Sequence, residues 1–358
     1  MNKRITRALM PFVLATVTGL ALVGCASTPP GGSSGETVSV DVGTGTPVEL
    51  PTGALRLGII FNGQSNEWQK LVATTIKEQA EARGWTATIV DSNFDTATRL
   101  NQLQQIATTR SYDAVIVVPI DDTECDSLTT TLPEAGVLVS VLSAPTCGRN
   151  AESGDEMWSP GTLNFVGGDT SADYYRAWFD AIAAANPGEQ KVAVLIGPEL
   201  SPFTLVQKQV AEEFASEHPE WGQLDFIYTD YTTPTGYQNT LNYLTANPDL
   251  SVLISVYTPD LTRGAVQAID AAGMTGDVAV ADIGASKYTV DQIKAGTVQL
   301  SIGFFPLEDA ASSLQSIVDA QSGAAPSRFI SVIPESAGSI DDPFVVDAET
   351  VDSFTPEY

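Results

Sequence analysis

The residues of this chain best suited to chemistry are acids and aromatic rings. Asp and Glu number 44 against 17 Lys and Arg, the formal charge is -27, and there is one histidine, His218. It precedes Pro219, and no metal-ligand cluster can be built from it. Glycoside hydrolysis would need two carboxylates set across a cleft, a demand that Asp121 and Asp282 meet loosely. In so acidic a chain such a pair is expected by chance, so the chain is read as no enzyme, with no metal and no cofactor. Gly167-Gly168-Asp169 lacks the glycine spacing and the lysine of a phosphate loop and reads as a turn and helix cap. Recognition is what remains. Trp68, Trp158, Phe203, Tyr257 and Phe304 offer stacking faces for an apolar sugar face or a cation, and Glu67, Asp121 and Asp282 offer acceptors for hydroxyls or an ammonium group.

These residues must be positioned by the elements around them. From residue 54 onward, short β-branched runs alternate with amphipathic stretches. Strands are expected at 55–61, 87–90, 114–118, 137–142, 163–166, 192–196, 224–228, 252–256, 278–281 and 298–302. A helix over 67–83 would stop at Gly84, and a second would be capped by Asp95. Continuous apolar strands joined by helices imply parallel sheets covered on both faces. The fold class is therefore α/β, with two doubly wound lobes. Ligands of such sheets bind beyond the C-terminal ends of the strands, which directs attention to residues 62–68, 121–123, 143 onward, 197–203, 257–260, 282–286 and 303–305.

The N-terminus reads separately. Lys3, Arg4 and Arg7 precede an uncharged, mostly apolar run over 8–21, too short to span a bilayer comfortably. Leu22-Val23-Gly24-Cys25 then resembles a bacterial lipobox, which implies export, lipidation of Cys25 and attachment to the outer face of the cytoplasmic membrane. Residues 26–53, rich in Ser, Thr, Pro and Gly, read as a flexible tether. Cys125 and Cys147 remain; a disulfide is the expectation in an oxidising compartment, two buried thiols the alternative. The strong acidity argues against nucleic acid as a partner.

Four segments carry a family likeness: LGIIFNGQSNEWQKLVATTIKEQAEARGW, VDSNFDTATRLNQLQQIATTRSYDAVIVVPID, LNYLTANPDLSVLISVYTPDLTRGAVQAIDAAG and VAVADIGASKYTVDQIKAGTVQLSIGFFP. In order and spacing they resemble the ribose- and galactose-type periplasmic sugar-binding proteins of bacterial ABC transporters. The resemblance implies periplasmic-binding-protein-like type I lobes joined by three crossover strands, closing on a ligand by a hinge. It places one lobe at 54–167 plus 305–331 and the other at 168–304 plus 332–358. It implies a monomer that captures a solute, a sugar first of all, for a membrane permease. A related branch senses trimethylamine N-oxide with a membrane histidine kinase, so a sensor of a methylated amine or other cation is the alternative.

Residue by residue, the resemblance sets Ser65, Glu67 and Trp68 in the ligand loop after the first strand. Glu67 departs from the pattern, and Trp68 could instead be core. Asp121 and Asp282 fall on aspartates that accept from sugar hydroxyls, or they cap the following helices. Lys208 corresponds approximately to a ligand arginine, or is an exposed helix residue. Thr258, with Tyr257 and Asp260 beside it, replaces an asparagine, and Phe304 replaces a glutamine. The polar set for a free pentose is thereby depleted.

Overall fold

The computed structural model describes residues 35–358 apart from Ser65 and Thr258. The expected lipobox with Cys25, the first part of the expected tether (26–34), and the candidate ligand residues Ser65 and Thr258 lie outside the described residues.

The described chain begins with an antiparallel hairpin, β1 (Thr37–Val40) and β2 (Val48–Pro51). Residues 35–53 were expected as tether, yet Val40, Val42, Val48 and Leu50 are buried in the main core. Four apolar side chains at alternating or near-alternating positions suffice to dock a short ribbon, and Arg328 fastens it through Asp41 at 2.8 Å.

Next come β3 (Arg56–Phe61), α1 (Glu67–Ala82), β4 (Thr86–Asp91), α2 (Thr96–Thr109), β5 (Ala114–Val117), the short α3 (Leu132–Glu134), β6 (Leu138–Leu142) and β7 (Asn164–Gly167). The chain continues with α4 (Ala172–Ala185), β8 (Val192–Ile196), α5 (Pro202–Glu217), β9 (Asp225–Tyr228), α6 (Thr233–Ala246), β10 (Val252–Ser255), α7 (Asp260–Ala271), β11 (Ala279–Gly284), α8 (Lys287–Ala295) and β12 (Leu300–Gly303). It closes with α9 (Pro306–Gln321), β13 (Phe329–Ser331) and β14 (Val345–Asp347).

Two six-stranded sheets result, in the orders β13-β7-β6-β5-β3-β4 and β14-β12-β11-β10-β8-β9. All neighbours are parallel except β14, which runs antiparallel to β12. β5 (AVIV), β8 (VAVLI) and β10 (VLIS) are buried along their whole length. Such strands need helices on both faces, each fully buried aliphatic side chain contributing about 1.5–3 kcal/mol. The chain passes between the sheets after β7, after β12 and after β13. These are the three crossings expected of the two-lobed α/β fold.

Several helices begin where strands end, and their caps hold the loops there. Asn66 caps α1 through Gln69 N at 2.9 Å, Asp95 caps α2 through Thr98 N at 2.6 Å, and Ser171 caps α4 through Tyr174 N at 3.3 Å. Ser286 likewise caps α8. Cys125 and Cys147 are disulfide-bonded with their Cα atoms 4.9 Å apart, joining the loop after β5 to the loop after β6. Among the described residues no helix is long and apolar enough to cross a membrane.

Candidate functional site

The C-terminal ends of both sheets meet at a chamber of about 410 Å³, counting the part open to solvent. Trp68 and Gln69 come from the segment after β3, Ser143 follows β6, and Asp169 and Thr170 follow β7. Phe203 follows β8, Tyr257 follows β10, Phe304 follows β12, and Tyr175 stands on α4. Among the described residues, five rings and one carboxylate thus line a space with no Lys or Arg in its wall. A second chamber of about 680 Å³ shares Gln69, Phe203 and Tyr257 with the first and adds Asn62, Thr96 and Asp121 from one lobe, with Ser201 and Tyr231 from the other.

Local physics fixes these walls. Gln69 is buried and its Oε1 accepts from Asn62 N (2.9 Å) and Gly63 N (3.0 Å), so the loop after β3 is folded around one amide. Tyr175 Oη accepts from Gln207 Nε2 at 3.0 Å, and the same amide reaches Val256 O at 3.2 Å, tying α4 and α5 to the end of β10. Tyr257 lies against Tyr231 with ring centroids 4.2 Å apart. Ser143 and Tyr231 adopt φ of 66° and 64°, left-handed conformations unusual for residues with side chains. Gly197 is required by the second of these, because a Cβ there would stand 1.9 Å from the Tyr231 ring.

Asp121 sits on the wall of the outer chamber and starts a 3-10 turn, Asp122–Glu124. It accepts from Thr96 Oγ1 (2.8 Å) and Thr123 N (2.9 Å). Burial works to raise its carboxyl, but the hydrogen bonds from Thr123 and Thr96 outweigh burial and hold it below its ordinary value. Beneath it lies a fully buried ion pair, Arg99 Nη1 to Glu124 Oε2 at 3.1 Å. Arg99 also donates to Val118 O and Asn62 Oδ1, both at 3.0 Å, while Glu124 Oε1 accepts from Ile120 N at 2.6 Å. The pair therefore stitches β3 and β5 to the loop that carries Asp121.

Several expected ligand residues stand elsewhere. Asp282 is fully buried within its lobe, where it accepts from Ser301 Oγ at 2.8 Å and from Thr262 Oγ1; it lines neither chamber. Its position inside β11, before the strand ends at Gly284, explains the difference. Lys208 points away from the chambers, over the Phe226 ring (5.5 Å) and toward Glu212 (3.9 Å), because it is one helical step out of register with the inward-facing Gln207. Glu67 is exposed at the start of α1, and Asp260 is half-buried at the start of α7, 3.5 Å from Arg263. Burial raises Asp260 most, Arg263 opposes, and the charge of Glu67 adds to the rise. The two acids thus face each other outside the chamber walls. Trp158 is not at the cleft; its ring lies under Arg328 at 4.1 Å, and its Nε1 donates to Thr162 O.

Other wall residues were not expected. Asp169 does not cap α4, a role taken by Ser171; it lies buried at the first crossing, where Oδ2 accepts from Phe305 N at 3.4 Å across to the second crossing. Tyr175 is one of several buried aromatics of α4. Tyr358 lines neither chamber but is partly buried near acids of both lobes: burial pushes its phenol up, and the charges of Asp282, Asp169 and Glu67 add to this.

The chain matches the model of the periplasmic binding protein domain over residues 57–325. It belongs to the periplasmic binding proteins. Solved structures similar to this binding protein include an ABC transporter solute-binding protein from Bacillus halodurans with bound myo-inositol, at 18% identity and TM-score 0.70, covering 84% of this chain and 97% of that one. A second, from Mycobacterium smegmatis with bound glycerol, shows 20% identity and TM-score 0.70, covering 86% and 98%. A third is a Caulobacter myo-inositol binding protein, at 20% identity and TM-score 0.68, covering 84% and 95%. At these identities the likeness establishes a shared type I fold. No curated protein matches in sequence.

Proposed function

We propose that this periplasmic binding protein captures a small hydroxylated solute of the sugar or polyol kind between its lobes and delivers it to the permease of an ABC transporter. The observation that carries the reading is the ring-lined chamber at the C-terminal strand ends of both sheets, with walls drawn from both lobes. Rings stack on the C–H faces of a sugar or cyclitol, and Asp121, Gln69, Ser143 and Thr170 supply polar contacts. Solute in the chamber favours the closed form by bridging the lobes, and a hinge at the three crossings permits opening. The structurally similar proteins with bound myo-inositol and glycerol support the ligand class. In this reading Cys25 carries the lipid that holds a monomeric binding protein at the membrane surface.

Calorimetric titration with myo-inositol, glycerol, ribose and allose tests the proposal. Saturable heat with any of them, lost in Tyr257→Ala, supports it; saturable heat that Tyr257→Ala leaves unchanged refutes this site. For the anchor, Cys25→Ala should release the protein from the membrane fraction, and retention there would contradict lipidation.

A further inference from the structure

Asp169 lines the inner chamber yet is only 1% exposed, and its Oδ1 has no hydrogen-bond partner among the described residues. Close by on α9, Asp309 is fully buried, and both of its carboxylate oxygens lack a formed hydrogen bond. Burial raises its carboxyl most, the charge of Asp169 adds to the rise, and the Trp68 indole N–H directed at it opposes the rise. Glu357 is a third acid acting on both. Among the described residues, the charges named as acting on Asp169 and Asp309 are all acidic. A buried carboxylate without a positive partner is unstable in ionised form by several kcal/mol, so the group either keeps a proton or awaits a cation. Around it stand Trp68, Tyr175, Phe203, Tyr257 and Phe304, whose faces attract cations.

We propose that the inner chamber receives an ammonium group, primary or quaternary, carried by the solute, with Asp169 as its counter-ion and the rings as its cage. The inference rests on the reading of the chamber as the solute site and narrows the solute to a cationic one, such as an amino-substituted polyol or sugar. The acid concerned is neither Asp121, in the outer chamber, nor Asp282, which lines neither chamber. The polar body of the solute would extend toward Asp121 in the outer chamber, which shares three wall residues with the inner one.

The test is a tryptophan-fluorescence titration of the purified protein with tetramethylammonium, with choline, with the neutral isostere of choline that has a quaternary carbon in place of nitrogen, and with myo-inositol. The expected result is that choline binds at least about tenfold tighter than its isostere. Asp169→Asn should abolish that preference. Phe203→Leu, on the wall shared by both chambers, should weaken choline by roughly two- to thirtyfold and serves if the Asp169 variant does not fold. Equal or tighter binding of the isostere overturns the ammonium site, as does a charge preference that survives Asp169→Asn. If myo-inositol binds and neither cation does, the ammonium site is refuted while the hydroxylated-solute reading stands. If nothing binds, the ammonium site is refuted, and the hydroxylated-solute reading is decided by the titration with glycerol, ribose and allose.

Discussion

Asp169 feels burial first, and burial raises its carboxyl to about 7, with the backbone N–H of Phe305 pulling down and the charge of Glu357 pushing up. The other titratable groups facing it are Asp309 from α9, Tyr174 and Tyr175 from α4, and Tyr358. A carboxyl whose folded value exceeds its unfolded one binds its proton more tightly when folded. Its contribution is therefore fully present below the unfolded value of 3.8 and is lost as pH rises through about 7. Without ligand, Asp169→Asn should unfold at a higher temperature than the native chain at about pH 8 and at a similar one at about pH 4, as read by calorimetry. A variant less stable at the higher pH would show that Asp169 is paired in solution. Asp282 makes the opposite case, because it satisfies the hydroxyls of Ser301 and Thr262 inside the core. Asp282→Ala should cost about 1–3 kcal/mol in denaturant unfolding, a loss that an exposed ligand-binding acid would not produce.

Among the elements, the loop after β5 depends on two fasteners, the Arg99–Glu124 pair and the Cys125–Cys147 bond. Burial lowers the basicity of Arg99 and raises the Glu124 carboxyl, while each partner opposes the other's shift, so removing one leaves the other charged and buried. Arg99→Leu should destabilise by about 3–5 kcal/mol, the worth of breaking a buried pair, and a loss below about 1 kcal/mol would mean that water enters the site. Replacing both cysteines by serine should cost about 2–4 kcal/mol, checked by unfolding with and without reductant. Most strands, the stop of α1 at Gly84 and the Asp95 cap of α2 were legible in sequence, since fully buried parallel strands are continuous apolar runs and Asp95 precedes a clear helical pattern; the Asn66 cap of α1 was not. The hairpin of β1 and β2, and the three-residue strands β13 and β14, were not: each is too short to show a period, and its burial comes from distant partners such as Arg328 and β12. The aromatic wall was partly legible, because Trp68, Phe203, Tyr257 and Phe304 follow strand ends. Asp169 was not, because a Gly-Gly-Asp turn gives no sign that its acid is buried between two crossings.

For the molecule as a whole, the proposed capture makes closure and occupancy one equilibrium, since the chamber walls come from both lobes. A solute that binds only the folded, closed form raises stability by RT ln(1 + [L]/Kd), which gives about 2.7 kcal/mol at a hundredfold excess over Kd. In the proposed capture the lobes turn where the chain crosses after β7, β12 and β13, close to where Tyr174 Oη donates to Gly303 O at 2.7 Å and links the start of α4 to the end of β12. Ligand should therefore reduce the radius of gyration seen by solution scattering. The most direct test of solute capture in the ring-lined chamber is a thermal-shift series with hydroxylated and ammonium-bearing solutes on the native protein and on Tyr257→Ala. The account predicts a midpoint that climbs with the logarithm of solute concentration in the native protein and stays flat in the variant. An equal climb in both would place the solute elsewhere and contradict it.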